Sequence, residues 1–251
     1  MNINTLLLLL CFILLIIILI NLIKTKNTSV TKENYKRYYS NNYYYRKRNY
    51  SKTKKKDANI IGKKGETKII NLLKNQSIPG YYKILKNIYL MGDGENRSEI
   101  DVLLIHETGF YIIESKNVSG AIYGSSYDKS WTVKYYRSQT TYPITNPVHQ
   151  NYGHIMFLKN MLHLTNDSYF KSFVVFSDYC KLSKINLCDN DKTIVIQQNQ
   201  LVDTLIKEIS NATYKPFSKD KIDSYEYVLS SFCNKSQDIK EKHIERLKQK
   251  N

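Results

Sequence analysis

Hydrophobic positions divide the chain into three regimes. From 6 to 20 every residue is apolar, and the run resumes after Asn21 with Leu22 and Ile23. From 24 to 56 no apolar periodicity survives. From 57 onward the patterning of a folded domain returns. Apolar residues at Ile61, Ile69, Ile70, Leu72 and Leu73 predict a helix over 60–75, closed by Ser77-Ile78-Pro79-Gly80. A strand follows over 82–91, then a Gly92-Asp93-Gly94 turn. Two apolar runs, 100–105 and 110–114, flank a short loop with glycine, His106-Glu107-Thr108-Gly109, and predict a hairpin. A further strand is expected over 131–136. Asn146-Pro147 starts a helix running to His163, because proline suits the first turn. Strands are predicted at 173–177 and 193–197, a helix at 200–210, and a charged helix over 219–250 that packs on the domain through Ile239, Ile244 and Leu247. No internal repeat is visible. This order of elements predicts an α/β fold with a mixed sheet.

The apolar start is long enough to cross a bilayer core of about 30 Å, since roughly eighteen residues at 1.5 Å each reach that length. A signal peptide is the competing reading, but residues 1–5 carry no Lys or Arg and 21–27 offer no small-residue cleavage pattern. A membrane anchor over 1–23 is therefore expected. The basic flank begins at Lys24, so the positive-inside rule places a single-pass protein in the cell membrane with its C-terminal domain in the cytoplasm.

Charge sharpens this division. The chain carries a net +16. Segment 24–56 alone holds twelve Lys or Arg against Glu33, a net +11, which leaves +5 for the remainder. Such a segment, rich in Asn and Tyr, cannot bury enough surface to order itself, and a disordered linker is expected. Three roles remain open for it: contact with anionic headgroups, stacking of its tyrosines on single-stranded bases, or service as a spacer. The expected organisation is an anchor at 1–23, a linker at 24–56, a domain at 57–215 and a helical tail at 216–251. Cys11, Cys180, Cys188 and Cys233 form no CxxC pair and read as reduced, structural residues.

Candidate chemistry lies on the central hairpin. Side chains at i and i+2 of a strand share a face, so Glu114 and Lys116 project together. In a hairpin the start of one strand lies beside the end of the other, which brings Asp101 to the same place. Two carboxylates and a lysine are costly to bury unless they bind something. Hard cations such as Mg²⁺ take carboxylate oxygens and keep several waters. The alternative is a cross-strand ion pair between Asp101 and Lys116. The bare acid-x-Lys pattern is uninformative, since it recurs at Glu66-Thr67-Lys68 and Asp238-Ile239-Lys240; position at the end of a strand singles out Glu114-Ser115-Lys116. Among the histidines, His106 is expected to be exposed in the hairpin loop, and His154, four residues after Gln150, is expected on a solvated helix face. Trp131, Tyr135 and Tyr136 are expected in the core.

Four blocks, Gly62-Lys63-Lys64-Gly65-Glu66, Ser98-Glu99-Ile100-Asp101, the run from Gly109 through Glu114-Ser115-Lys116 to Asn117, and Asn146-Pro147-Val148-His149-Gln150, together resemble the NERD (nuclease-related) domain over 58–164. That family is similar to the restriction-endonuclease-like PD-(D/E)xK nucleases, whose core is a mixed sheet flanked by helices. The resemblance implies that Asp101 and Glu114 bind Mg²⁺ (or Mn²⁺) and that Lys116 orients the attacking water or steadies the transition state. It adds Glu66, on the first helix, as a further acid and Gln150 as a polar rim residue. From the residues alone, Glu66 can equally cap or solvate its helix, and Gln150 can satisfy backbone near Pro147. Ile100 stands where the superfamily name places proline. The implied activity is membrane-anchored, Mg²⁺-dependent hydrolysis of DNA phosphodiester bonds. The competing expectation is a catalytically weak module on the same fold that binds nucleic acid or a protein.

Overall fold

A computed structural model of the chain describes residues 52–91, 97–138, 140–188 and 192–233. The predicted anchor at 1–23, nearly all of the basic linker and the tail beyond 233 lie outside the described residues. Among the described residues no helix is long and apolar enough to cross a membrane.

Helix α1 (Lys52–Lys74) precedes a three-stranded meander of β1 (Tyr82–Met91), β2 (Arg97–His106) and β3 (Gly109–Lys116). The chain then forms β4 (Gly120–Ser125), β5 (Ser130–Lys134) and β6 (Thr141–Thr145), followed by α2 (Pro147–Met161), β7 (Phe170–Phe176), β8 (Cys180–Asn186), β9 (Thr193–Gln197), α3 (Leu201–Ser210) and α4 (Lys219–Cys233). Two sheets result. The larger has the order β1-β2-β3-β7-β9, with β7 and β9 parallel to β3. The smaller has the order β6-β5-β4-β8, with β8 parallel to β4. The fold is thus mixed α/β, but with two sheets flanked by helices where the sequence pointed to one.

Both faces of the large sheet are covered, which is why β3 and β7 each contain four consecutive apolar residues, 110–113 and 173–176, instead of alternating ones. On one face Leu103, Ile105, Phe110 and Ile112 pack against Leu158 of α2 and Ile222, Tyr225 and Leu229 of α4. On the other, Val102, Leu104, Tyr111 and Ile113 pack against Ile69 and Leu73 of α1 and Leu201 and Leu205 of α3. Burying each such side chain is worth about 1.5–3 kcal/mol relative to exposure. The small sheet turns Ile122, Trp131 and Val133 onto Val174 and Phe176 of β7. Trp131 stacks on Phe176 at 6.0 Å between ring centroids. Gly124 sits directly against the Trp131 ring, where a Cβ has no room.

Several local expectations change. Helix α1 begins at Lys52, inside the stretch assigned to the linker; its opening lysines favour helix without any apolar stripe. The hairpin loop contracts to Glu107 and Thr108, because His106 already pairs with Gly109. Tyr135 and Tyr136 are 40% and 55% exposed, since β5 ends before them, whereas Trp131 is fully buried. His106 is buried. Its Nε2 lies 2.7 Å from the Pro79 carbonyl, and its Nδ1 accepts from the Thr108 amide at 3.0 Å. Cys180, Cys188 and Cys233 are free thiols.

Candidate active site

The β2–β3 ladder runs from His106↔Gly109 to Val102↔Ile113 and then stops. The next positions along the two strands are Asp101 and Glu114. Beyond this point β3 keeps only its β7 partner, through Glu114↔Val174 to Lys116↔Phe176. The strands part, and the Asp101 carboxylate fills the gap: its Oδ2 accepts the Ser115 amide at 2.8 Å. A second irregularity lies across β1. Asn87 adopts a left-handed backbone (φ 51°), and the β1–β2 ladder steps from Lys86↔Val102 to Ile88↔Ile100, skipping Asn87 and Asp101. Asn tolerates this conformation better than most residues. Alternation is reset there, so that Leu85 and Ile88, three residues apart, join the same core.

Helix α2 supplies the facing wall, and three buried polar residues fix its roll. The Asn146 side chain caps the helix by accepting the Val148 amide at 3.0 Å and donates to the Asp128 carbonyl at 2.8 Å. His149 Nε2 lies 2.6 Å from the Ser126 carbonyl. Asn151 donates to the carbonyls of Ile112 and Phe173, at 3.1 and 2.9 Å. These bonds hold α2 between the sheets. One helical turn and two strand residues both span about 6 Å, so Gln150 and His154 meet Lys116 and Glu114 in register. Lys116 Nζ donates to Gln150 Oε1 at 2.8 Å and to Glu114 Oε1 at 2.6 Å, and His154 Nε2 lies 3.3 Å from Glu114 Oε2. His154 is therefore buried against the site, not on a solvated face.

Glu66 arrives from α1. Gly65 lies so close to the end of β3 that a Cβ there would stand 2.7 Å from the Asn117 Cβ. The helix can approach this near only with glycine at that position. Asn117 also donates to the Ile61 carbonyl at 2.7 Å. The Asn87 amide then bridges two carboxylates, Glu66 Oε2 and Glu99 Oε1, each at 2.9 Å, and Tyr89 donates to Glu99 at 2.5 Å.

Electrostatics tie these groups together. Burial pushes the Asp101 carboxyl well above its usual range, and the charges of Glu114 and Glu66 push the same way against Lys116 and the Ser115 amide. Burial works in the same direction on Glu114, but Lys116 and His154 overcome it and hold that carboxyl down at about 2. Glu66 is raised by burial and by Glu99 and Glu114, against the Asn87 bond and Lys63. The cluster is short of positive charge, and Asp101 bears the deficit. A divalent cation fits such a donor set: Mg²⁺ needs only one or two carboxylates plus waters and substrate oxygens. Among the described residues no three His, Cys, Asp or Glu side chains form a ready-made cage.

All five residues singled out in the sequence, Asp101, Glu114, Lys116, Glu66 and Gln150, thus belong to one hydrogen-bonded and electrostatic cluster. Asn87, Tyr89 and Glu99 join them unannounced, and His154 joins them against the expectation of a solvated face. Glu99 carried a usable signal, two residues before Asp101 on one strand. Asn87 carried none, because its part depends on a backbone irregularity.

The comparisons with known proteins bear on the same stretch of chain. An uncharacterized protein of Bacillus anthracis is 27% identical over 189 residues, covering 75% of this chain and 84% of that protein. No solved structure matches. The family model of the nuclease-related domain matches residues 61–177, which run from within α1 through the hairpin and α2 to the end of β7 and include every residue of the cluster. Over those residues this chain is similar to the nuclease-related (NERD) domain family.

Proposed function

We propose that this protein is a membrane-anchored, Mg²⁺-dependent nuclease that hydrolyses phosphodiester bonds in DNA. The observation that carries the reading is the opened end of the β2–β3 hairpin, where Asp101 and Glu114 take the next positions of the two strands and repel one another, with Lys116 bonded to both Glu114 and Gln150. Asp101 and Glu114 would hold the cation, with Glu66 as a further acid. When bound, the cation supplies an activated water and neutralises developing phosphoryl charge. Lys116 contributes a fixed ammonium beside that charge. Gln150 and His154 restrain the lysine and the carboxylate from the helix side, so little reorganisation is left for the reacting complex. The 1–23 segment would place the domain on the cytoplasmic side of the cell membrane, and resistance of the chain to alkaline extraction from membranes tests that part.

The chemical test uses the detergent-solubilised full chain. Plasmid DNA should be cut with Mg²⁺ or Mn²⁺ and spared with chelator. Asp101→Ala and Lys116→Ala should each abolish cutting while the protein stays folded. Equal activity in the variants overturns the reading.

One observation favours the weaker alternative, a binding module of low turnover. Lys116 already neutralises Glu114 at 2.6 Å and so competes with a cation for that carboxylate. Calorimetric titration with Mn²⁺ separates the two readings: binding lost in Glu114→Ala supports hydrolysis, and no binding supports the module.

A further inference from the structure

The uncompensated positive charge of the folded part is concentrated on the small sheet. Residues 57–233 hold twenty Lys or Arg against eighteen Asp or Glu. The small-sheet segments 120–145 and 180–186 hold five against one, Asp128, whose carboxylate accepts the Ser125 amide. The rest of the domain is therefore slightly acidic.

Strand register places three of these cations on the sheet's outer face. Ala121 pairs with Lys134 on one side and Lys181 on the other, forming one row across β5, β4 and β8. Tyr123 pairs with Thr132 and Lys184, forming the next row. A bulge between Ile122 and Tyr123 makes this possible. Without it, Lys181 and Lys184, three residues apart, would fall on opposite faces. With it, Leu182 and Ile185 both turn to the core and both lysines turn outward. Tyr123 is 39% exposed among them. Among the described residues, Lys134, Lys181 and Lys184 enter no ion pair, whereas lysines elsewhere on the domain pair with Asp178, Asp223 and Glu107. The sheet is joined to the cluster through the chain: β4 starts four residues after Lys116, and β6 leads directly into the Asn146 cap of α2.

We propose that the outer face of the small sheet is a nucleic-acid-binding surface, on which Lys134, Lys181 and Lys184 take backbone phosphates and Tyr123 stacks on a base. Charge complementarity commits the surface to a polyphosphate strand, and the exposed aromatic among the lysines favours a single strand over a duplex. The inference deepens the nuclease reading by naming where its substrate lies.

The test is fluorescence anisotropy of labelled single-stranded and duplex oligonucleotides with the detergent-solubilised full chain, in chelator, titrated with salt. The basic 24–56 segment is common to every variant, so differences report on the face. Neutralising all three lysines (K134Q/K181Q/K184Q) should weaken binding at least about tenfold. It should also reduce the log–log salt slope by about 2 to 3, given roughly 0.9 per phosphate contact on duplex and 0.7 on single strands. The control K74Q/K207Q/K221Q should change neither. Tyr123→Ala, which leaves the charges in place, should cost single-strand affinity roughly five- to a hundredfold and leave duplex binding unchanged. An unaltered slope in the first triple variant overturns the proposal, as does an equal loss in the control. So does a first triple variant that keeps its affinity for both oligonucleotides and loses only co-sedimentation with vesicles containing anionic lipid. Equal losses on both oligonucleotides in Tyr123→Ala overturn the stacking role. Wild-type binding with the expected slope but no Mg²⁺-dependent cutting would leave this surface standing and remove the nuclease reading; cutting with an unaltered slope would do the reverse.

Discussion

The two ends of the β2–β3 hairpin are both buried and both polar, yet they are built on opposite principles. At the closed end, His106, Thr108 and Tyr111 form a neutral chain. His106 Nε2 meets the Pro79 carbonyl, its Nδ1 takes the Thr108 amide, and the Thr108 hydroxyl lies 2.7 Å from the Tyr111 hydroxyl. Every group has a partner and no charge is required. At the open end the ladder stops, and carboxylates crowd together with too little positive charge to balance them. Buried polarity alone therefore says little about function. Buried charge left short of a partner says more, because folding gains nothing from it that an apolar pair would not supply.

The largest effect that tests this contrast is expected from Asp101→Asn. The amide oxygen can still accept the Ser115 N–H, and the repulsion from Glu114 and Glu66 is gone. Turnover on DNA should fall by about a hundredfold or more, the scale on which fixed electrostatic groups contribute. The urea midpoint, followed by the buried Trp131, should stay level or rise, as expected where a strained active site trades stability for activity. A large loss of stability would show the open end to be scaffold like the closed one. Thr108→Val is the counterpart at the closed end. It keeps the shape but leaves the Tyr111 hydroxyl without its partner, which should cost about 1–3 kcal/mol of stability with turnover unchanged. A variant that folds normally yet cuts slowly would erase the distinction.

Both hairpin ends were differently legible in the sequence. Strands β1 and β9 lie where apolar patterning placed them, and the grouping of Asp101, Glu114 and Lys116 followed from two simple rules, the i, i+2 face and antiparallel pairing, whereas Glu66 and Gln150 came only with the family resemblance. Of the small sheet only β5 followed, expected over 131–136 and found at Ser130–Lys134. In β8 the bulge spaces Leu182 and Ile185 by three, which is a helical interval, and β6 carries Pro143 in the middle of a five-residue strand. Neither alternates cleanly, so neither announces a strand. Helix α2 lies where it was expected, but the exposure of its His154 face was misread for the converse reason. Half of its buried positions are His149, Asn151 and His154, which meet the Ser126 carbonyl, the Ile112 and Phe173 carbonyls and Glu114, and a helix that buries polar groups looks solvated on paper. His106 was misread in the same way, because only the three-dimensional position of Pro79 supplies its acceptor.

That misreading gives the smallest and most specific expected effect. Burial pushes the His106 ring below its ordinary range, against the pull of the Pro79 carbonyl and Glu107. Its neutral form is the one the fold accepts: a proton on Nδ1 would confront the Thr108 N–H that now donates to it. The unfolded chain takes up that proton near 6.5, and the folded chain only at lower pH. The contribution is therefore complete above about pH 6.5 and is lost as pH falls from there through the folded value. Urea melts of wild type and His106→Asn at pH 7.5 and 5.5 should show the gap between them narrowing at the lower pH, because only the wild type has this proton to gain. Parallel curves would mean that the ring is charged in the fold. The closed end would then hide a charge of its own, and the contrast between the two ends would fail.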